Sequence, residues 1–166
     1  MSSAALPNSV LADVLAEFPE LRSQIYFKNS LTALSHAMED LVLSGAEDEQ
    51  PIVIACFQKE RFYRQEAKRY ERIGRRSPHV FVLASPETDL IASPSNHEAV
   101  PFTPDDALAN EWHLVILGDN YAACLICAER RETDETSKKS ALTESPIENL
   151  ARERRKITVG DVVRVV

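Results

Sequence analysis

Glycine is scarce, with four residues in a chain of 166. Phosphate-cradling loops need glycines clustered where a strand turns into a helix. The turn Phe57-Gln58-Lys59-Glu60 contains none, so that class of nucleotide site is not expected. Cysteine is also rare, and the three residues Cys56, Cys124 and Cys127 form an odd set that does not suit a secreted disulfide framework. No apolar run approaches the ~20 residues of a membrane-spanning helix. The opening Met1-Ser2-Ser3-Ala4-Ala5-Leu6-Pro7 lacks the basic start and apolar stretch of a secretory signal. A cytoplasmic protein with no membrane association follows as the expectation. His36, His79, His97 and His113 show no metal-ligand spacing, and no Ser or Cys nucleophile is patterned with a base. Neither a cofactor nor catalysis is expected.

What is present is a core. Hydrophobic residues make up 44% of the chain, enough for one domain. Asn8 or Ser9 can cap a first helix that carries Leu11, Val14, Leu15 and Phe18 on one face. Asn29 or Ser30 can cap a second, with a stripe of Leu31, Leu34, Met38 and Leu41 and a stop at Gly45. Residues 51–57 and 79–84 are short continuous apolar runs, the pattern of strands buried on both faces. The helical stretch between them makes a parallel crossover unit. Residues 85–104 hold four prolines and read as a long loop, and 105–111 as a short helix. Residues 112–117 and 121–127 flank the turn Gly118-Asp119-Asn120 as an antiparallel hairpin. The fold class is therefore α/β: a mixed sheet of about four to five strands, with a parallel crossover, an antiparallel hairpin edge and flanking helices. The polar stretch 129–145 reads as a mobile loop, 147–156 as a short charged helix and 157–166 as a weak last strand.

Cys124 and Cys127 sit three apart on one expected strand. That spacing places them on opposite faces, roughly 10 Å apart. A disulfide needs Cα atoms within about 7 Å, so buried structural thiols are expected instead.

The charge is uneven. Lys59 to Arg76 carries eight Lys or Arg and three Glu, a net of +5, while the whole chain is −7 and the remainder −12. Within this stretch Phe62, Tyr63, Ala67, Tyr70, Ile73 and Gly74 recur at helical spacing and should pack on the sheet. Glu60–Arg64 and Glu71–Arg75 are i,i+4 pairs in the favourable order. Arg69, Arg72 and Arg76 are expected on the solvent face, free to dock on an acidic partner or a second copy. His36 and Asp40 read as a surface pair on the second helix. A nucleic-acid partner is disfavoured by the acidic total. The carboxyl ends of the parallel strands offer one possible ligand site, with Gln58, Lys59 and Arg61 beside Ser85 around a small anion at a helix N-terminus.

The segments "IYFKNSLTALSHAMEDLVL", "IACFQKERFYRQEAKRYERI", "VFVLASPETD" and "EWHLVILGDNYAACLICAER" together resemble the DICT domain, a bacterial sensory domain found beside diguanylate cyclases and two-component histidine kinases. The resemblance spans residues 20–130 and looks cyanobacterial. It implies a non-catalytic signalling module, often linked to light responses, whose partner is a histidine kinase, response regulator or diguanylate cyclase. A covalently held bilin is not expected in this chain, which has no Cys-His pair. The organisation expected is an N-terminal amphipathic helix (1–19), the sensory domain (20–130) and a polar linker with an uncertain end (131–166). Self-association as a homodimer is expected through the apolar face of the first helix, with the basic helix as a second candidate. The other readings are a sensor of small anionic ligands or nucleotides and, behind it, a nucleic-acid adaptor.

Overall fold

The computed structural model describes residues 9–88, 96–129 and the backbone of residues 162–165. The chain order is α1 (Val10–Glu17), β1 (Gln24–Phe27), α2 (Lys28–Ser44), β2 (Ile52–Lys59), α3 (Glu60–Arg76), β3 (Val80–Ser85), β4 (Glu98–Pro101), a 3-10 turn at Ala107–Asn110, β5 (Glu111–Leu117), β6 (Ala122–Glu129) and β7 (Val162–Val165). The strands form one mixed sheet in the order β1-β7-β6-β5-β2-β3-β4. β2, β3 and β4 run parallel, and β2, β5, β6, β7 and β1 alternate antiparallel.

The mixed α/β sheet, the β2–α3–β3 crossover and the β5–β6 hairpin are all present. The sheet is wider than the apolar runs imply. β1 and β4 are four residues each, too short to show a period, and β4 lies inside the proline-rich stretch. With β7 and β1 outboard of it, the hairpin is not an edge. Glu129, the first residue of the expected loop at 129–145, ends β6 instead, and the rest of that loop and the expected helix at 147–156 lie outside the described residues.

Period-two alternation sorts the sheet's side chains onto two faces. One face carries Val53, Ala55 and Phe57 of β2 with Val80 and Val82 of β3 and Leu114 and Ile116 of β5, all buried. Tyr63, Tyr70 and Ile73 of α3 pack onto it, with Phe62 and Ala67 beside them, as the helical spacing predicts. Gly74 lets α3 approach the following loop, since a Cβ there would stand 2.3 Å from the carbonyl oxygen of Asn96.

α2 buries only half of the expected stripe, Leu31 in the core and Met38 packed against it. Leu31, Ser35, Glu39 and Val42 face inward, whereas Leu34 and Leu41 are exposed. Its N-terminus follows Phe27 directly, with no side-chain cap from Asn29 or Ser30. The other sheet face is covered at one end by α1. Ser9 caps that helix as expected, its Oγ accepting from the Ala12 N–H at 3.1 Å. The Oγ of Ser9 also donates to Glu111 Oε1 at 2.6 Å, and the Val10 and Leu11 N–H groups donate to Glu111 Oε2 at 3.1 and 3.4 Å. A carboxylate at a helix N-terminus is stabilised by the helix dipole, so Glu111 anchors α1 to β5.

Candidate functional site

A cavity of about 190 Å³ lies where the carboxyl end of β2 meets α2, α3 and the start of β5. Lys28, Thr32, Ser35, His36 and Glu39 line it from α2, Phe57 and Gln58 from β2, Phe62, Gln65 and Glu66 from α3, and Trp112 from β5. Its position at the end of a parallel strand is where open α/β sheets place ligands.

The backbone at this point is unusual. β2 and β3 are in register from Val53↔Val80 to Cys56↔Leu83, and then Lys59 pairs with Ser85. Three residues of β2 therefore span two of β3, a bulge. Within it Gln58 adopts φ 61°, the left-handed region that costs a non-glycine residue about 1–3 kcal/mol. Gln58 is buried as a residue, and its side-chain amide, which keeps access to solvent, makes no hydrogen bond to a described residue.

The charged groups on the walls are already matched. Lys28 Nζ lies 2.5 Å from Glu129 Oε1, and His36 Nε2 lies 3.2 Å from Glu66 Oε2. Glu39 is held by the Arg69 guanidinium and by the Tyr70 hydroxyl at 2.8 Å. Burial raises the pKa of Glu39, and the hydrogen bonds from Tyr70 and Arg69 oppose it. Behind α3, Tyr63 Oη and His97 Nε2 are 2.6 Å apart, and His97 Nδ1 is 3.1 Å from Asn96 Oδ1. Burial lowers the His97 pKa, which favours a neutral ring that accepts from the phenol and donates to the amide oxygen.

Of the residues expected around an anion, only Gln58 lines the cavity. The Arg61 N–H at the start of α3 donates to Glu87 Oε2 at 3.1 Å, and its guanidinium lies 3.4 Å from Glu87 Oε1. The chain's own carboxylate thus occupies the helix N-terminus that a small anion would need. Ser85 is buried at the end of β3, and Lys59 ends β2 outside the cavity. Glu60, beside them, accepts the Glu87 and Thr88 N–H groups at 2.8 and 3.0 Å. Those hydrogen bonds, that from Glu87 foremost, hold its pKa down to about 2.

Four of the eight cations in the basic stretch, Arg61, Arg64, Arg69 and Arg75, pair with carboxylates among the described residues. Arg64 pairs with Glu60 and Arg75 with Glu71, as their spacing predicts. Arg69 and Arg76 are not on an open solvent face, because both reach across to α2. Arg69 bonds Glu39, Asp40 and the His36 carbonyl, and Arg76 bonds the Gly45 and Ala46 carbonyls. Asp40 is therefore Arg69's partner rather than His36's. Arg72 is exposed. The apolar face of α1 is also mostly spent: Leu11 is buried, Val14 and Leu15 are half-buried, and Phe18 is exposed. A different exposed apolar group lies next in the chain. Ile25 and Phe27 of β1 are 56% and 55% exposed, with Leu21 and Tyr26 beside them.

Thiol chemistry has no foothold at Cys56. Its Sγ sits 3.7 and 3.8 Å from the Glu111 and Leu108 carbonyl oxygens, and burial pushes its pKa to about 12. Cys124 and Cys127 are free and lie on opposite faces of β6 as expected, although Cys124 is exposed rather than buried. Among the described residues no cluster suits a metal ion, and no helix is long and apolar enough to cross a membrane.

A family model described as DICT, the sensory domain in diguanylate cyclases and two-component systems, matches residues 8–130. The match takes in α1 as well as the cavity. Comparisons with curated proteins and with solved structures returned no match.

Proposed function

Because this chain belongs to the DICT family of sensory domains, we propose that it is a regulatory module that passes a signal by protein contact and performs no chemistry of its own. The systems it serves are two-component or cyclic-di-GMP pathways, light-responsive ones included, and it works in the cytoplasm. Its partners are a second copy of itself and a histidine kinase, response regulator or diguanylate cyclase. Family membership carries the reading.

The contact surface that fits it best is β1. No described strand pairs with the outer edge of β1, and Ile25 and Phe27 are exposed there. An edge strand with free backbone donors and acceptors is a template for another strand. Two-fold pairing of β1 with its copy satisfies both edges with one patch. The expected result is a dimer by sedimentation equilibrium at tens of micromolar, converted to monomer by the double change Ile25→Asp, Phe27→Asp. A wild-type monomer under those conditions would overturn the dimer, and a dimer that survives the change would move the interface elsewhere.

A further inference from the structure

We infer that the cavity beside Gln58 binds a small neutral heteroaromatic molecule that presents an amide-like edge. Two observations carry this. Gln58 is more than nine-tenths buried and lines the cavity, and its amide makes no hydrogen bond to a described residue while keeping access to solvent. An amide that the protein leaves unbonded on a cavity wall offers a ligand both a donor and an acceptor. The bulge between β2 and β3 holds Gln58 at φ 61° on the cavity wall.

The walls define the rest of the ligand. Phe57, Phe62 and Trp112 supply aromatic surface, which favours a flat ring. Lys28, His36 and Glu39 are each engaged by a counter-charge of the chain, so a charged ligand finds no free partner. An apolar cavity of about 150 Å³ admits benzene. At about 190 Å³, this one has room for a single ring with its substituents or a compact fused pair. Such a site would be the input of the sensory module, and in that respect alone the inference rests on the proposed function.

The test titrates nicotinamide, uracil and adenine into the full chain, with nicotinate as the charged counterpart of nicotinamide. Trp112, the single tryptophan, reports occupancy by its fluorescence, and ligand-observed NMR gives an independent reading. At least one neutral compound should bind, about tenfold or more tighter than nicotinate, the factor expected when one charge must be buried unpaired. Gln58→Met keeps the side chain's shape without its hydrogen bonds. Gln58→Gly removes the amide but tolerates the positive φ. Both should weaken binding about tenfold, and the Gly variant should melt no lower than wild type. The inference falls if none of the neutral compounds binds at millimolar concentration. It also falls if nicotinate binds as well as nicotinamide, if either variant binds like wild type, or if Gln58→Gly melts lower because the amide holds the fold. Binding is measured directly, so these failures leave the protein-contact reading standing, and a monomer in sedimentation leaves the cavity standing.

Discussion

The carboxylate of Glu39 on α2 and the phenol of Tyr70 on α3 meet at 2.8 Å between the two helices, with Arg69 closing the group from the same side. This buried triad ties α2 to α3 across their shared apolar core. It also turns two residues of the basic helix inward.

Arg69→Glu should therefore destabilise the protein by about 3 kcal/mol or more, because it leaves Glu39 buried without its counter-ion beside a second carboxylate. Arg72→Glu should shift stability by less than about 0.5 kcal/mol, since that side chain is exposed. Urea denaturation of the two variants checks the contrast. Equal effects would mean that Arg69 makes no buried pair.

Gly74→Ala sets two effects against each other. Helix propensity favours alanine by about 1 kcal/mol. The added Cβ would stand 2.3 Å from a backbone oxygen of Asn96, which also bonds α3 through its side-chain amide to the Glu71 carbonyl at 2.5 Å. A backbone atom cannot swing aside as a side-chain end does, so the clash should win. The expected outcome is a net loss of about 1–3 kcal/mol in chemical denaturation.

Acid should weaken the fold in a defined window. The folded pKa of Glu60 is depressed to about 2. That of Glu111 is lowered too: burial would raise it, but the hydrogen bonds from His113 and Ser9 outweigh that. A depressed carboxylate stabilises the fold fully above its unfolded value, ~4.3, and the benefit is lost as pH falls toward the folded value. Melting temperature should hold down to about pH 5 and then fall steadily toward pH 2. Glu60→Gln should reduce that acid-side loss in scanning calorimetry.

Thiol labelling should separate the cysteines. Iodoacetamide should alkylate the native protein once, at Cys124, because Cys56 and Cys127 are buried with pKa values pushed up to about 12. Peptide mass spectrometry reads the site. Mild oxidation should yield no Cys124–Cys127 disulfide.

The sequence was most legible where one face of an element is buried. Tyr63, Tyr70 and Ile73 declare the inward side of α3, and the runs at 52–57 and 80–84 declare the central strands. It misled on α2, where Leu34 and Leu41 fit a helical stripe as well as Leu31 and Val42 do. The true inward stripe includes Ser35, which bonds locally to the Thr32 carbonyl, and Glu39, whose partners lie about thirty residues away. Leu31-Ser35-Glu39-Val42 has helical spacing too, and a polar pair within it is the signal that was available. Arg69 and Arg76 illustrate the same limit, because charge alone does not say whether a partner lies across the next helix. Gln58 was legible as a strand-end residue, but its positive φ comes from a bulge that needs β3 in place.

β7 lies between β6 and β1 in the sheet, although residues 162–165 follow β1 by well over a hundred positions. During synthesis, at about 5–20 residues per second, β1 waits on the order of ten seconds or more for its only described neighbour to be made. The five strands from β6 to β4 need no such delay, since all of them lie within residues 52–129. Nascent chains should thus acquire a five-stranded sheet first, with Ile25 and Phe27 still unpaired at the ribosome. Any chaperone or early-arriving copy would meet the chain at that strand before the sheet is complete.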